Sequence, residues 1–143
     1  MKKFYLLLLS LSMGLSSVFA DGVVRTYTNV TAGSLSTRIS NDNVDPLTIT
    51  DLTITGNLNG TDLRLIREMA GNNYLGEPKS GSLKKLDLSG ANIVAGGEKY
   101  LDTDRITSST GTYTQNNGYN SFHYETENNV LGKSLFAYYK NNL

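Results

Sequence analysis

Apolar residues recur along this chain in two rhythms, and the rhythms mark its elements. Residues 23–30, Val-Val-Arg-Thr-Tyr-Thr-Asn-Val, are rich in β-branched and aromatic side chains, which predicts a strand. Gly33 and Ser34 end it, and Ser34 is placed to cap a short helical turn through Ile39. Residues 41–46, Asn-Asp-Asn-Val-Asp-Pro, are a loop by composition. Ile49, Leu52 and Ile54 follow at the spacing of a short buried strand. From Thr61 to Ala70 the period becomes helical. Leu63, Ile66 and Ala70 fall on one face, and Leu65 and Met69 lie one turn apart. Thr61 is the expected N-cap, Asp62 suits the positive end of the helix dipole, and Gly71 is a natural stop.

Leu83, Leu86 and Leu88 repeat the spacing of Ile49, Leu52 and Ile54. Ala91 and Ile93 extend it to L-x-x-L-x-L-x-x-A-x-I, the leucine-rich repeat template with Ala91 at its Asn/Cys position. The earlier copy is looser, with Asn57 at that position and Leu58 one residue early. In such a coil the leading apolar residue packs inward, and alternate side chains of the following strand point to one face. One coil cannot bury its own apolar face, so coils must stack. Strand, helix and strand make one right-handed parallel unit. The expected class is therefore α/β, a short leucine-rich repeat solenoid with parallel strands. Residues 21–46 form its N-terminal strand/helix cap, 47–97 its repeat core, 98–129 a long loop-rich insertion and 130–143 the start of a further repeat. Aligning Leu52 with Leu86 sets Asp51 beside Lys85, Thr53 beside Asp87 and Thr55 beside Ser89.

Residues 98–129 carry Thr, Asn, Ser, Gly and Tyr without a period. So long a loop is unusual in a compact domain. Either it packs on itself through Tyr100, Tyr113, Tyr119, Phe122 and Tyr124, or it is mobile. Residues 130–140 read as a short helical turn.

Two stretches carry a family resemblance. Thr53-Ile54-Thr55-Gly56 leads into Asn59-Gly60-Thr61-Asp62-Leu63. Leu83-Lys84-Lys85-Leu86-Asp87-Leu88-Ser89-Gly90-Ala91-Asn92-Ile93-Val94 is the more specific of the two. The chain resembles the start of BspA-like leucine-rich repeat proteins of gut and oral anaerobic bacteria. Residues 135–143 look like that family's aromatic inter-strand segment. The resemblance covers about residues 23–94 and 130–143. It implies a secreted or surface-displayed adhesion or ligand-binding protein with no catalytic residues, and a chain that is the N-terminal piece of a longer repeat protein. The alternative is a structural or decayed fragment with no activity of its own.

The first 20 residues differ from the rest. Lys2 and Lys3 precede an apolar run from Phe4 to Leu15, and Ser16-Ser17-Val18-Phe19-Ala20 follows. This is the layout of a signal peptide cleaved after Ala20. A membrane anchor would need a longer run, roughly 20 apolar residues. Export to the periplasm, cell surface or medium is expected. Removing the segment takes two lysines from a balance of 13 basic and 13 acidic residues. The remainder is slightly acidic and offers no electrostatic footprint for nucleic acid or anionic membrane. The absence of cysteine excludes disulfides, thiolate metal sites and a lipid-anchored cysteine.

Catalytic patterns fail one by one. Gly132-Lys133-Ser134 ends like a phosphate-binding loop, but Glu127 stands where that loop needs glycine. Ser82-Leu83-Lys84-Lys85 matches S-x-x-K of penicillin-interacting enzymes without its partner motifs. Asp102-Thr103-Asp104 could open a calcium loop, but Thr107 and Tyr113 occupy its glycine and acidic positions. Glu125 and Glu127 could pair, and His123 is the one histidine; neither assembles a triad or a zinc site. No enzyme activity, cofactor or metal is expected. Two surfaces remain for a protein or glycan ligand. One is the exposed strand face of Asp51, Thr53, Thr55, Lys85, Asp87 and Ser89, which reads either as a solvated sheet face or as a binding surface. The other is the aromatic set Tyr113, Tyr119 and Tyr124, which reads either as gap filling or as a contact surface. Self-association through the open repeat edge is a further expectation.

Overall fold

The computed structural model describes residues 22–103, 107–108, 111–112 and 122–136. Residues 1–20, expected to be a signal segment, lie outside them. Strand β1 (Val23–Val30) leads through helix α1 (Leu35–Asn41) and a 3-10 turn (Pro46–Thr48) to strand β2 (Ile49–Leu58). Helix α2 (Gly60–Met69) then leads to strand β3 (Lys85–Ile93). The three strands form one parallel sheet in the order β1-β2-β3. Both helices pack on one face of that sheet, where their apolar residues share one core with those of the strands. The protein is thus mixed α/β with a parallel three-stranded sheet. Among the described residues no helix is long and apolar enough to cross a membrane.

The sheet's alternation sets the core. Leu52 and Ile54 on β2 and Tyr27 on β1 are buried against Leu35 and Ile39 of α1 and Leu63, Ile66 and Met69 of α2. The expected α2 pattern holds for Leu63, Ile66 and Met69, while Leu65 and Ala70 are half-buried. Arg67 is fully buried, which the pattern did not foretell. Its Nε donates to the Asn73 carbonyl at 2.8 Å, and one terminal nitrogen donates to the carbonyls of Ser134 and Leu135 at 3.1 and 2.6 Å. One guanidinium thus ties the end of α2 to a segment far along the chain.

Both expected caps are corrected. The N-cap of α2 is Asn59, whose Oδ1 accepts from the Thr61 amide at 3.1 Å. Thr61 lies inside the helix, and its hydroxyl accepts from the Glu98 amide at 3.1 Å. Asp62 completes the capping box by accepting from the Asn59 amide at 3.0 Å. At α1, Ser34 holds the cap position but caps nothing with its side chain; its hydroxyl donates to the Thr31 carbonyl at 2.7 Å. Asp62 does that work from across the core, accepting from the amides of Gly33 at 2.6 Å and Leu35 at 3.0 Å.

The segment after β3 is not loop throughout. Strand β4 (Leu101–Thr103) is followed by β5 (Thr107–Ser108), β6 (Gly111–Thr112) and β7 (Phe122–Tyr124). β4 pairs with β7 and β5 with β6, both antiparallel. Tyr100 and Leu101 are buried. The Tyr100 hydroxyl donates to the Lys133 carbonyl at 2.8 Å, and its ring lies so close to Gly132 that no Cβ would fit. Residues 133–136 are turns, with Ser134 at φ 57°.

Asp62→Ala leaves three amides in two elements without their acceptor. It should destabilise the fold by about 3 kcal/mol, read as a lower urea midpoint. Ser34→Ala, which removes no cap, should change stability by about 0.5 kcal/mol or less.

Candidate functional site

The sheet face turned away from the helices carries the polar residues singled out above. Cross-strand rows run Val24–Asp51–Lys85 and Thr26–Thr53–Asp87. The first two expected neighbours, Asp51 with Lys85 and Thr53 with Asp87, stand opposite one another as the leucine alignment requires. The third does not. The register shifts after Thr53, and Thr55 faces Gly90 rather than Ser89. One extra residue on β3 makes a β-bulge there. Thr55 lies over Gly90, where any side chain would collide with its methyl, and its hydroxyl accepts from the Asn29 amide at 3.0 Å.

β1 widens this face, which the sequence reading had built from two strands. Its Val24 and Thr26 extend the rows, and Val24 is among the exposed large apolar residues. The alternation within residues 23–30 was the available signal; which strand they join was not in it.

Local hydrogen bonds set the charges. Lys85 Nζ lies 3.0 Å from Asp51 Oδ1, and the Thr50 hydroxyl donates to Asp51 Oδ2 at 2.7 Å. The Thr50 hydroxyl first, and Lys85 after it, hold the Asp51 carboxyl below the usual carboxylate range. Asp87 folds back on the bulge, and its Oδ1 accepts from the Ser89 amide at 2.9 Å. The Ser89 hydroxyl and then its amide hold Asp87 low as well. Ser89 is therefore engaged with Asp87 rather than aligned with Thr55.

Of the aromatic candidates, Tyr113 and Tyr119 lie outside the described residues. Tyr124 is half-buried and stacks on Tyr100 with ring centres 6.1 Å apart, and Phe122 meets it edge-on at 5.7 Å. Gap filling is thus part of its role. A small open cleft beside it is lined by Tyr100, Tyr124, Glu125, Glu127 and Lys133. Burial is the main cause that pushes the Tyr100 hydroxyl up to about 12.

Across β4 and β7, His123 Nδ1 contacts Asp102 Oδ1, and Lys99 lies 3.8 Å from the same oxygen. The His123 hydrogen bond holds the Asp102 carboxyl low. Nearby, Arg64 sits over the Tyr74 ring at 3.4 Å and pairs with Glu98. No periodicity marks the His123–Asp102 and Arg64–Glu98 pairs, because each joins residues far apart in sequence. Asp102 is therefore a strand residue bonded to histidine, and Asp104 lies outside the described residues. Among the described residues no three His, Asp or Glu side chains gather where they could hold a metal ion. Lys133 and Ser134 lie in turns, without the helix start that a phosphate loop requires.

No protein-family model matches this chain, and no curated protein matches its sequence.

The three carboxyls point one way in pH. Asp51, Asp87 and Asp102 all have lowered folded-state pKa values. Their contribution is fully present above the unfolded value near ~3.9 and is lost as pH falls through the folded values. Urea midpoints should drop on acidification below about pH 4, and Asp51→Asn with Asp87→Asn should flatten that drop. Tyr100 has the opposite sign. Its share is present below the ordinary tyrosine value near ~10 and is lost as pH rises through about 12. Alkaline titration followed by phenolate absorbance should show a late-titrating component near pH 12 that Tyr100→Phe reduces.

Proposed function

We propose that this chain is an exported, non-enzymatic binding module of the leucine-rich repeat type. Its ligand is a protein or glycan, held on the open polar face of the parallel sheet. The observation that carries this reading is the register of β2 and β3. Leu52 stands opposite Leu86, and the polar residues between the leucines line up as rows on the face free of helices. Stacked repeat coils require this alignment. The resemblance to BspA-like proteins agrees with it, and so does the signal-like layout of residues 1–20.

The chemistry of the face suits recognition better than turnover. Threonine hydroxyls, one amine and two carboxylates offer donors and acceptors on rigid strands. The carboxylates are both held ionised by hydrogen bonds, so neither is poised as a general acid near neutral pH.

The test is surface plasmon resonance against immobilised host glycoproteins and a glycan panel. Wild type should bind saturably, and the Thr26→Lys/Thr53→Lys double variant should bind at least about tenfold more weakly with an unchanged circular dichroism spectrum. Saturable binding that survives this variant but not Tyr124→Ala would move the site to the aromatic cleft.

A further inference from the structure

The outer edge of β3 is unpaired among the described residues, and its backbone groups can be followed one at a time. In a parallel pair, successive residues turn their N–H and C=O groups alternately toward the neighbour and away from it. The Lys84 amide donates to the Thr50 carbonyl at 2.8 Å, so Lys84 and Leu86 face β2 while Lys85 and Asp87 turn outward. Further along, the edge is closed. The Asp87 carboxylate occupies the Ser89 amide, and the Asn129 amide donates to the Ile93 carbonyl at 2.8 Å. The bulge bends the strand between these two points. What stays open among the described residues is Lys85-Leu86-Asp87, with its two charges exposed and its leucine half-buried.

We propose that this stretch pairs with the same stretch of a second copy, antiparallel about a two-fold axis at Leu86. In that register Lys85 of each copy stands opposite Asp87 of the other. Both residues turn their backbone groups outward, so each opposed pair can exchange two backbone hydrogen bonds and add a cross-strand ion pair. Leu86 meets Leu86 of the other copy and gains cover for an apolar side chain that its own chain leaves half-exposed. Charge decides the direction, because an in-register parallel pairing would set lysine on lysine and aspartate on aspartate. A one-residue slip would exchange the two faces. The Lys85 amine, bonded to Asp51 on β2, turns from that inner neighbour to the aspartate of the second copy when the pair forms. Three residues per copy make a small contact, so the association is weak and falls with added salt. It is independent of which ligand the sheet face takes.

Sedimentation velocity on the purified chain over rising concentration tests this. Wild type should shift from monomer to dimer, and salt should reverse the shift. Lys85→Glu alone and Asp87→Lys alone should each stay monomeric, since like charges then oppose one another. Mixed, these two variants should form a dimer, because the mixture restores opposite charges at both pairs. That rescue also shows that neither variant failed through misfolding. A wild type that stays monomeric throughout overturns the proposal; that is the outcome expected if a following strand of the same chain takes this edge, and it leaves the binding reading standing. A dimer that persists in both single variants places the contact elsewhere and overturns the proposal equally.

Discussion

A helix start exposes backbone amides that the helix itself cannot satisfy, and two such starts meet at Asp62. Its carboxylate is 1 % exposed and accepts from Gly33, Leu35 and Asn59. A side chain in the second helix thereby sets where the first helix begins. Because each helix follows a strand, the same bonds fix where β1 and β2 hand over to their helices. The relative height of these two coils follows from that, and so does the row of polar residues on the far face.

Burial is uneven across the sheet, and the unevenness has consequences. β2 lies between two strands, and its core-facing residues are almost wholly buried. Among the described residues β3 has a partner on one side only, and Leu86 and Leu88 remain half-exposed. An exposed edge with apolar side chains invites pairing, and natural edges are blunted by bulges and charges. Here the bulge, the Asp87 carboxylate and Asn129 close most of the edge. They leave one short self-complementary stretch. The same two residues, Lys85 and Asp87, belong to the open face and to the edge, which places ligand and neighbour close together.

The residues beyond β3 attach both through polar anchors and through the shared apolar core. Arg67 reaches three carbonyls, two of them at Ser134 and Leu135, and Tyr100 bonds the Lys133 carbonyl. Tyr100, Leu101 and Leu135 add buried side chains to the core.

Local chemistry alone determined the parallel α/β layout, the bounds of β1 and α2 to within a residue or so, and the pairing of Asp51 with Lys85 and Thr53 with Asp87. These features rest on periodicity, which adjacent residues carry in full. The tertiary structure decided the rest, because it depends on partners distant in sequence. Thr61 looked like a cap until the Glu98 amide took its hydroxyl. Thr55 and Ser89 looked aligned until the Asp87–Ser89 turn added a residue to one strand. The burial of Arg67 left no local signal, because it depends on carbonyls of residues 73, 134 and 135, two of them far along the chain. The antiparallel strands after residue 100 had no period to betray them, since each pairs with a segment that the local sequence does not specify.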